Sequence, residues 1–111
     1  MQRFEIINTF IKNNNFKNYL EIGVFRGQNI REIFAEHKDG VDPTTELGKS
    51  IPEINYPITS DSFFELIKDH DIKYDIIFID GLHHSNQVDK DIDNALNHLV
   101  DNGIIVMHDC N

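Results

Sequence analysis

Apolar positions along the chain follow two rhythms, one recurring every three to four residues and one forming short continuous runs. Residues 2 to about 14 place Phe4, Ile7, Phe10 and Ile11 on one face of a helix. The Asn13-Asn14-Asn15 run then weakens that helix, because Asn favours caps and turns. Tyr19 to Phe25 (YLEIGVF) is a short strand-forming run interrupted by Gly23. Helical spacing returns after Gly27 with Ile30, Ile33, Phe34 and His37. A second strand is expected at Gly40 to Asp42, closed by Pro43, followed by a loop over 44–53 with room for one helical turn. Ile54 to Thr59 reads as a weak third strand, confined to an edge because Pro57 cannot donate to a ladder.

The second half is more regular. Ser62 and Glu65 have capping-box spacing, and Phe63, Leu66 and Ile67 continue a helical face. Tyr74 to Asp80 (YDIIFID) is an apolar run that ends in an acid. Ser85 can cap a helix whose Val88, Ile92, Ala95, Leu96 and Leu99 form one stripe, with Asp89, Asp91, Asn94 and Asn97 mostly elsewhere. Asp101-Asn102-Gly103 ends it, and Gly103 to Met107 forms the last strand, followed by His108-Asp109-Cys110-Asn111. Strands alternating with helices predict an α/β fold with a parallel sheet covered on both faces. In such sheets ligands sit beyond the carboxyl ends of the strands. The polar residues that carry chemistry fall there: Glu21 to Gly27, Asp42, Ser60-Asp61, Asp80 to His84, and His108-Asp109.

Composition narrows the function classes. The chain has 111 residues, room for one domain, with a leading helix over 1–18 and the strand-bearing unit over 19–111. Ten Lys and Arg against nineteen Asp and Glu give a formal charge of -9, which argues against nucleic acid or an anionic membrane as partner. No apolar run is long enough for a membrane span and the start lacks a signal peptide, so a cytoplasmic location is expected. Cys110 is the only cysteine, which excludes an internal disulfide and a cysteine-based zinc site.

Glu21-Ile22-Gly23-Val24-Phe25-Arg26-Gly27 reads E-x-G-x-x-x-G at a strand-to-helix turn, where glycines permit positive φ and close approach of a ligand. Asp42 follows at the end of the next strand, where an acid can accept from both hydroxyls of a ribose. An ordinary βα turn would use the glycines equally well, and Asp42 alone serves equally as a turn residue before Pro43. Together the two features favour a cofactor that contains a nucleoside. His83 and His84 follow one strand-end acid, and His108-Asp109 ends the next strand, so these ends are neighbours if the strands are adjacent. A histidine there suits the deprotonation of a hydroxyl, although each taken singly reads equally well as a loop or packing residue. His37, His70 and His98 fall in helical segments and are read as structural.

The glycine segment resembles the first motif of class I S-adenosylmethionine-dependent methyltransferases. YLEIGVFRGQNI, GVDP, ITSDSFFELI, YDIIFIDGLHHSNQVDKDIDNALNHL and NGIIVMHDCN together resemble the group that includes macrocin-type sugar O-methyltransferases. The resemblance spans about residues 19–111 and is most specific over FIDGLHH and HDCN. It implies a Rossmann-like, doubly wound parallel sheet with five strands in the order 3-2-1-4-5. It also implies that Glu21, Gly23 and Gly27 border the methionine part of the cofactor and that Asp42 holds the ribose. Ser60 and Asp61 would lie near the adenine, a role compatible with helix capping. Asp80 would face the cofactor's amino group, the acceptor or a metal. Metal-dependent relatives carry acids at the positions of Asp80 and Asp109, so Mg²⁺ or another divalent cation is a further expectation, with Asp109 as a loop-orienting acid the other reading.

Relatives of this kind continue past the fifth strand, whereas this sequence stops at Asn111. The expectation is therefore a C-terminally shortened domain whose last strand, Ile104 to Met107, is an open apolar edge covered by a second copy. The leading reading is a methyltransferase, or its cofactor-binding part, acting on an oxygen of a small molecule or sugar, with His83, His84, Asp80 and His108 as catalytic candidates. A second reading is a non-catalytic module that holds S-adenosylmethionine or S-adenosylhomocysteine. A third, a nicotinamide-dependent Rossmann enzyme, is disfavoured because the glycine spacing is wrong for a pyrophosphate loop.

Overall fold

The computed structural model describes residues 2–43, 51–80 and 85–108. Its elements run α1 (Arg3–Asn14), β1 (Asn18–Ile22), a 3₁₀ turn (Ile30–Glu32), β2 (His37–Val41), α2 (Ser60–Ile67), β3 (Tyr74–Asp80), α3 (Ser85–Leu96) and β4 (Leu99–His108). All strand pairs are parallel and the sheet order is β2-β1-β3-β4. Side-chain alternation along β1 and β3 divides the core in two. Leu20, Ile22, Ile77 and Ile79 pack with Phe63, Phe64 and Ile67 of α2 and Ala95 of α3. Tyr19, Ile76 and Phe78 face the other way, onto Ile7 and Ile11 of α1 and onto Ile30 and Ile33. Burial on both faces explains the unbroken apolar run of β3. Among the described residues no helix is long and apolar enough to cross a membrane.

Four differences from the sequence reading have identifiable physical causes. The expected third strand contracts to one bridge, Val41 to Tyr56, so the sheet has four strands rather than five. Tyr56 N donates to Gly40 O and Tyr56 O accepts from Asp42 N; Pro57 then offers no N–H, and Ile58 N turns back onto Tyr56 O at 2.8 Å. The order of the remaining strands matches the expected 2-1-4-5 portion. The helix expected through His37 stops after Glu32, because Asn8 of α1 intercepts it. Asn8 Nδ2 donates to Glu32 O at 2.7 Å, and its Oδ1 accepts from Phe34 N at 2.8 Å, which takes two groups a continued helix would need. His37 instead opens β2, with Nε2 3.1 Å from Asp39 Oδ2.

The α3 stripe ends at Leu96, and Leu99 belongs to β4. Tyr74 pairs with Leu99 and Ile76 with Ile104, so Asp101-Asn102-Gly103 bulges within β4 instead of ending a helix. His98 lies in the turn between α3 and β4, its Nδ1 2.8 Å from Ile72 O and its ring stacked on Phe64; His70 lies just past α2. Finally, the cap of α2 is Thr59, not Ser62: Thr59 Oγ1 accepts from Ser62 N at 3.1 Å. The face α2 buries is Phe63, Phe64 and Ile67, with Leu66 exposed. Thr59→Ala should lower the unfolding free energy by about 1 kcal/mol in a urea titration, whereas Ser62→Ala should change it by less than half of that.

Candidate functional site

The turn after β1 has an unusual backbone. Gly23 and Gly27 have φ of +89° and +81°, and Phe25 between them has φ 56°. Gly23 N donates to Val41 O at 2.9 Å, tying the turn to β2, and Gly27 N donates to Val24 O at 3.0 Å. Asp42, buried just beyond β2, holds the left-handed Phe25 by accepting its N–H on Oδ2 at 2.6 Å. A side chain at Gly23 would meet the carbonyl oxygen of Asp80 at 2.6 Å, so the turn is pressed against the end of β3.

Against this turn lies a pocket of about 720 Å³. Its lining includes Glu21 and Gly23 from the β1 end, Phe25 and Asn29 from the turn, Asp80 from the β3 end, and Arg3 from the first turn of α1. The size falls in the range of roughly 300–1,000 Å³ usual for small-molecule sites. Three of the six, Phe25, Asn29 and Arg3, are not among the site candidates of the sequence. Periodicity reads Arg3 as a solvated position on the polar side of a helix, and nothing local shows that α1 presents its N-terminus to the strand ends.

Glu21 is 1% exposed. Its Oε1 accepts from the Tyr19 hydroxyl and from Asn29 Nδ2, the latter at 2.9 Å. Burial pushes its carboxyl up to about 7 against the pull of these donors, and nearby Asp80 adds to the rise. Burial together with the Glu21 charge also raises the Tyr19 phenol, so that hydroxyl stays protonated and donating.

Asp80 and His108 are register partners at the adjacent ends of β3 and β4, the neighbourhood expected if these strands paired. Arg3 reaches both of them. Its Nη1 is 3.8 Å from Asp80 Oδ2, and its Nη2 donates to His108 Nε2 at 3.0 Å. The Asp80 side chain is 8% exposed, and Oδ1 is buried with no hydrogen-bond partner among the described residues. Burial raises its carboxyl above the usual range, Arg3 and His108 pull it down, and Asp42 pushes it up. A buried carboxylate oxygen without a donor is costly unless a ligand supplies one.

Other expected site residues have partners elsewhere. Gln87 of α3 donates through Nε2 to Ser60 Oγ at 3.2 Å, Asp61 Oδ1 at 3.1 Å and Asp91 Oδ1 at 3.0 Å, locking the N-terminus of α2 to α3. Asp42, Ser60 and Asp61 are not part of the lining of the pocket. His83, His84 and Asp109 lie outside the described residues. Of the expected metal pair only Asp80 is described, and there a guanidinium already faces it. No three His, Cys, Asp or Glu side chains are grouped to hold an ion among the described residues.

No curated protein matches the chain at a significant level. The model of one family, described as a methyltransferase domain, matches residues 20–110. That span takes in the glycine turn, all four strands from Leu20 onward, and the adjoining ends of β3 and β4. With most of its length and the β1-turn and β3-end walls of this pocket inside the match, the chain belongs to the methyltransferase domain family.

Proposed function

We propose that the pocket binds S-adenosylmethionine and that the protein serves methyl transfer to an oxygen of a small molecule or sugar. The observation that carries this reading is the acid-rich pocket at the β1 and β3 ends. Among the described residues three carboxylates, from Glu21, Glu32 and Asp80, and one guanidinium, from Arg3, line it, and Asp80 Oδ1 has no donor among them. A cationic ligand that carries an ammonium group suits such a lining. When bound, the cofactor supplies a methyl group on an electrophilic sulfonium.

In this reading Asp80 Oδ1 and Glu21 face the ammonium end. Gly23 offers backbone to the ligand, with Val24 and Phe25 of the same turn lining the pocket beside it. Asp42 preserves the turn by holding Phe25, and any ribose contact is made from that fixed position. His108, the register partner of Asp80 at the strand ends, joins His83 and His84 as a base for the acceptor hydroxyl. Holding acceptor, methyl carbon and sulfur in line supplies most of the remaining rate.

The test is a thermal melt with S-adenosylhomocysteine, with NAD, and with neither. At 100 times its dissociation constant a ligand stabilises by about 2.7 kcal/mol, roughly ten degrees for a domain of this size. The expected result is a shift with S-adenosylhomocysteine alone, lost in Asp42→Ala. A cooperative melt that moves with neither ligand would overturn the reading.

A further inference from the structure

Resting on that reading, we propose that Arg3 of α1 is the receptor for the α-carboxylate of the ligand's amino-acid end, working opposite Asp80 Oδ1, which takes the α-ammonium. Among the described residues of the lining, Arg3 is the only cation, and its guanidinium lies beside the one buried carboxylate oxygen that has no donor. An α-amino acid carries its two charges on one carbon, so its receptor needs an acceptor and a cation side by side. Arg3 Nη1 at 3.8 Å from Asp80 Oδ2 supplies that spacing. The contact is longer than a close ion pair, and the Arg3 side chain is 47% exposed, so its donors are not committed to Asp80.

The planar fork of a guanidinium binds a carboxylate through two parallel hydrogen bonds, which a lysine cannot reproduce. The position also fits the helix geometry. Ile7 and Ile11 anchor α1 to the sheet, and its first turn, capped by Gln2 and Glu5, is thereby held over the strand ends. α1 is thus the element that distinguishes ligands carrying a free amino acid from those that end at the thioether.

The experiment is calorimetric titration of the whole chain with S-adenosylhomocysteine and with 5′-methylthioadenosine, which lacks the amino-acid end. Wild type should prefer S-adenosylhomocysteine. Arg3→Gln should weaken S-adenosylhomocysteine roughly 10- to 100-fold, the range for losing a charged hydrogen-bond pair, and leave 5′-methylthioadenosine within about twofold. Arg3→Lys should fall between. Unchanged S-adenosylhomocysteine affinity in Arg3→Gln overturns the assignment, and so do equal losses for both ligands, which would make Arg3 a prop for the pocket. Wild type that binds neither ligand overturns the cofactor reading itself and this assignment with it. Wild type that binds both ligands, with no change of their ratio in the variant, overturns this assignment alone.

Discussion

Gly23→Ala is expected to remove a large share of the stability and at least roughly 90% of the ligand affinity of this protein. At φ +89° the backbone is left-handed, which costs an L-residue about 1–2 kcal/mol. The added methyl group would also sit 2.6 Å from the carbonyl oxygen of Asp80. That carbonyl cannot retreat cheaply, because β3 lies between β1 and β4 and Asp80 pairs with His108. The two effects together predict a loss of roughly 3 kcal/mol in unfolding free energy, against a total of about 5–15 kcal/mol for an ordinary domain. Binding suffers with stability, since any shift of the β3 end moves the Asp80 carboxylate. Urea titration and ligand titration of the variant check both parts. A stability loss below about 1 kcal/mol would show that the turn can separate from β3, contrary to the packing described above.

The second large effect is a dependence on pH that runs through Glu21. Its ordinary value is 4.5 and burial lifts it to about 7 in the folded protein. A carboxyl whose folded value is raised stabilises the fold in its protonated form. That contribution is complete below about pH 4.5 and is lost as pH rises through about 7. The difference amounts to on the order of 3 kcal/mol by linkage. Asp80 and Asp91, raised in the same direction by burial, add to the trend. Urea titrations at pH 5 and pH 8 should show wild type weaker at the higher value, with a smaller drop in Glu21→Gln, whose amide still accepts from Tyr19 and Asn29. Parallel profiles for the two proteins would rule Glu21 out as the source. Ligand binding should respond in the opposite sense. A cation in the pocket favours the ionised carboxylate, so binding of S-adenosylmethionine should tighten as pH rises through about 7.

Both effects involve residues that the sequence marks, but it does not mark their reasons. Glu21 and Gly23 stand out as part of E-x-G-x-x-x-G, while the Tyr19 hydroxyl and Asn29 amide that hold Glu21 cannot be inferred from spacing. Asp42 is legible as a strand-end acid. Its grip on Phe25 N is not, because it depends on β1 and β2 being adjacent and in register. Asp80 and His108 are legible as neighbours only on condition that their strands pair, a condition the sheet order meets. The helix expected through His37 fails for a tertiary reason. Its apolar spacing is genuine, with Ile30 and Ile33 buried, but Asn8 from another element takes the backbone groups it would have used.

By itself the sequence determined the class of fold, the parallel strands, the glycine turn and the acids at the strand ends. These follow from local rules, since burial on two faces demands apolar runs, positive φ demands glycine, and strand ends expose the polar residues that follow them. Tertiary structure alone decided that α1 brings Arg3 over the β3 end, that Asp80 meets His108 there, and that Asn8 ends a helical turn 24 residues away. Each of these is a contact between segments distant in the chain. No window of neighbouring residues carries the distances on which such contacts depend.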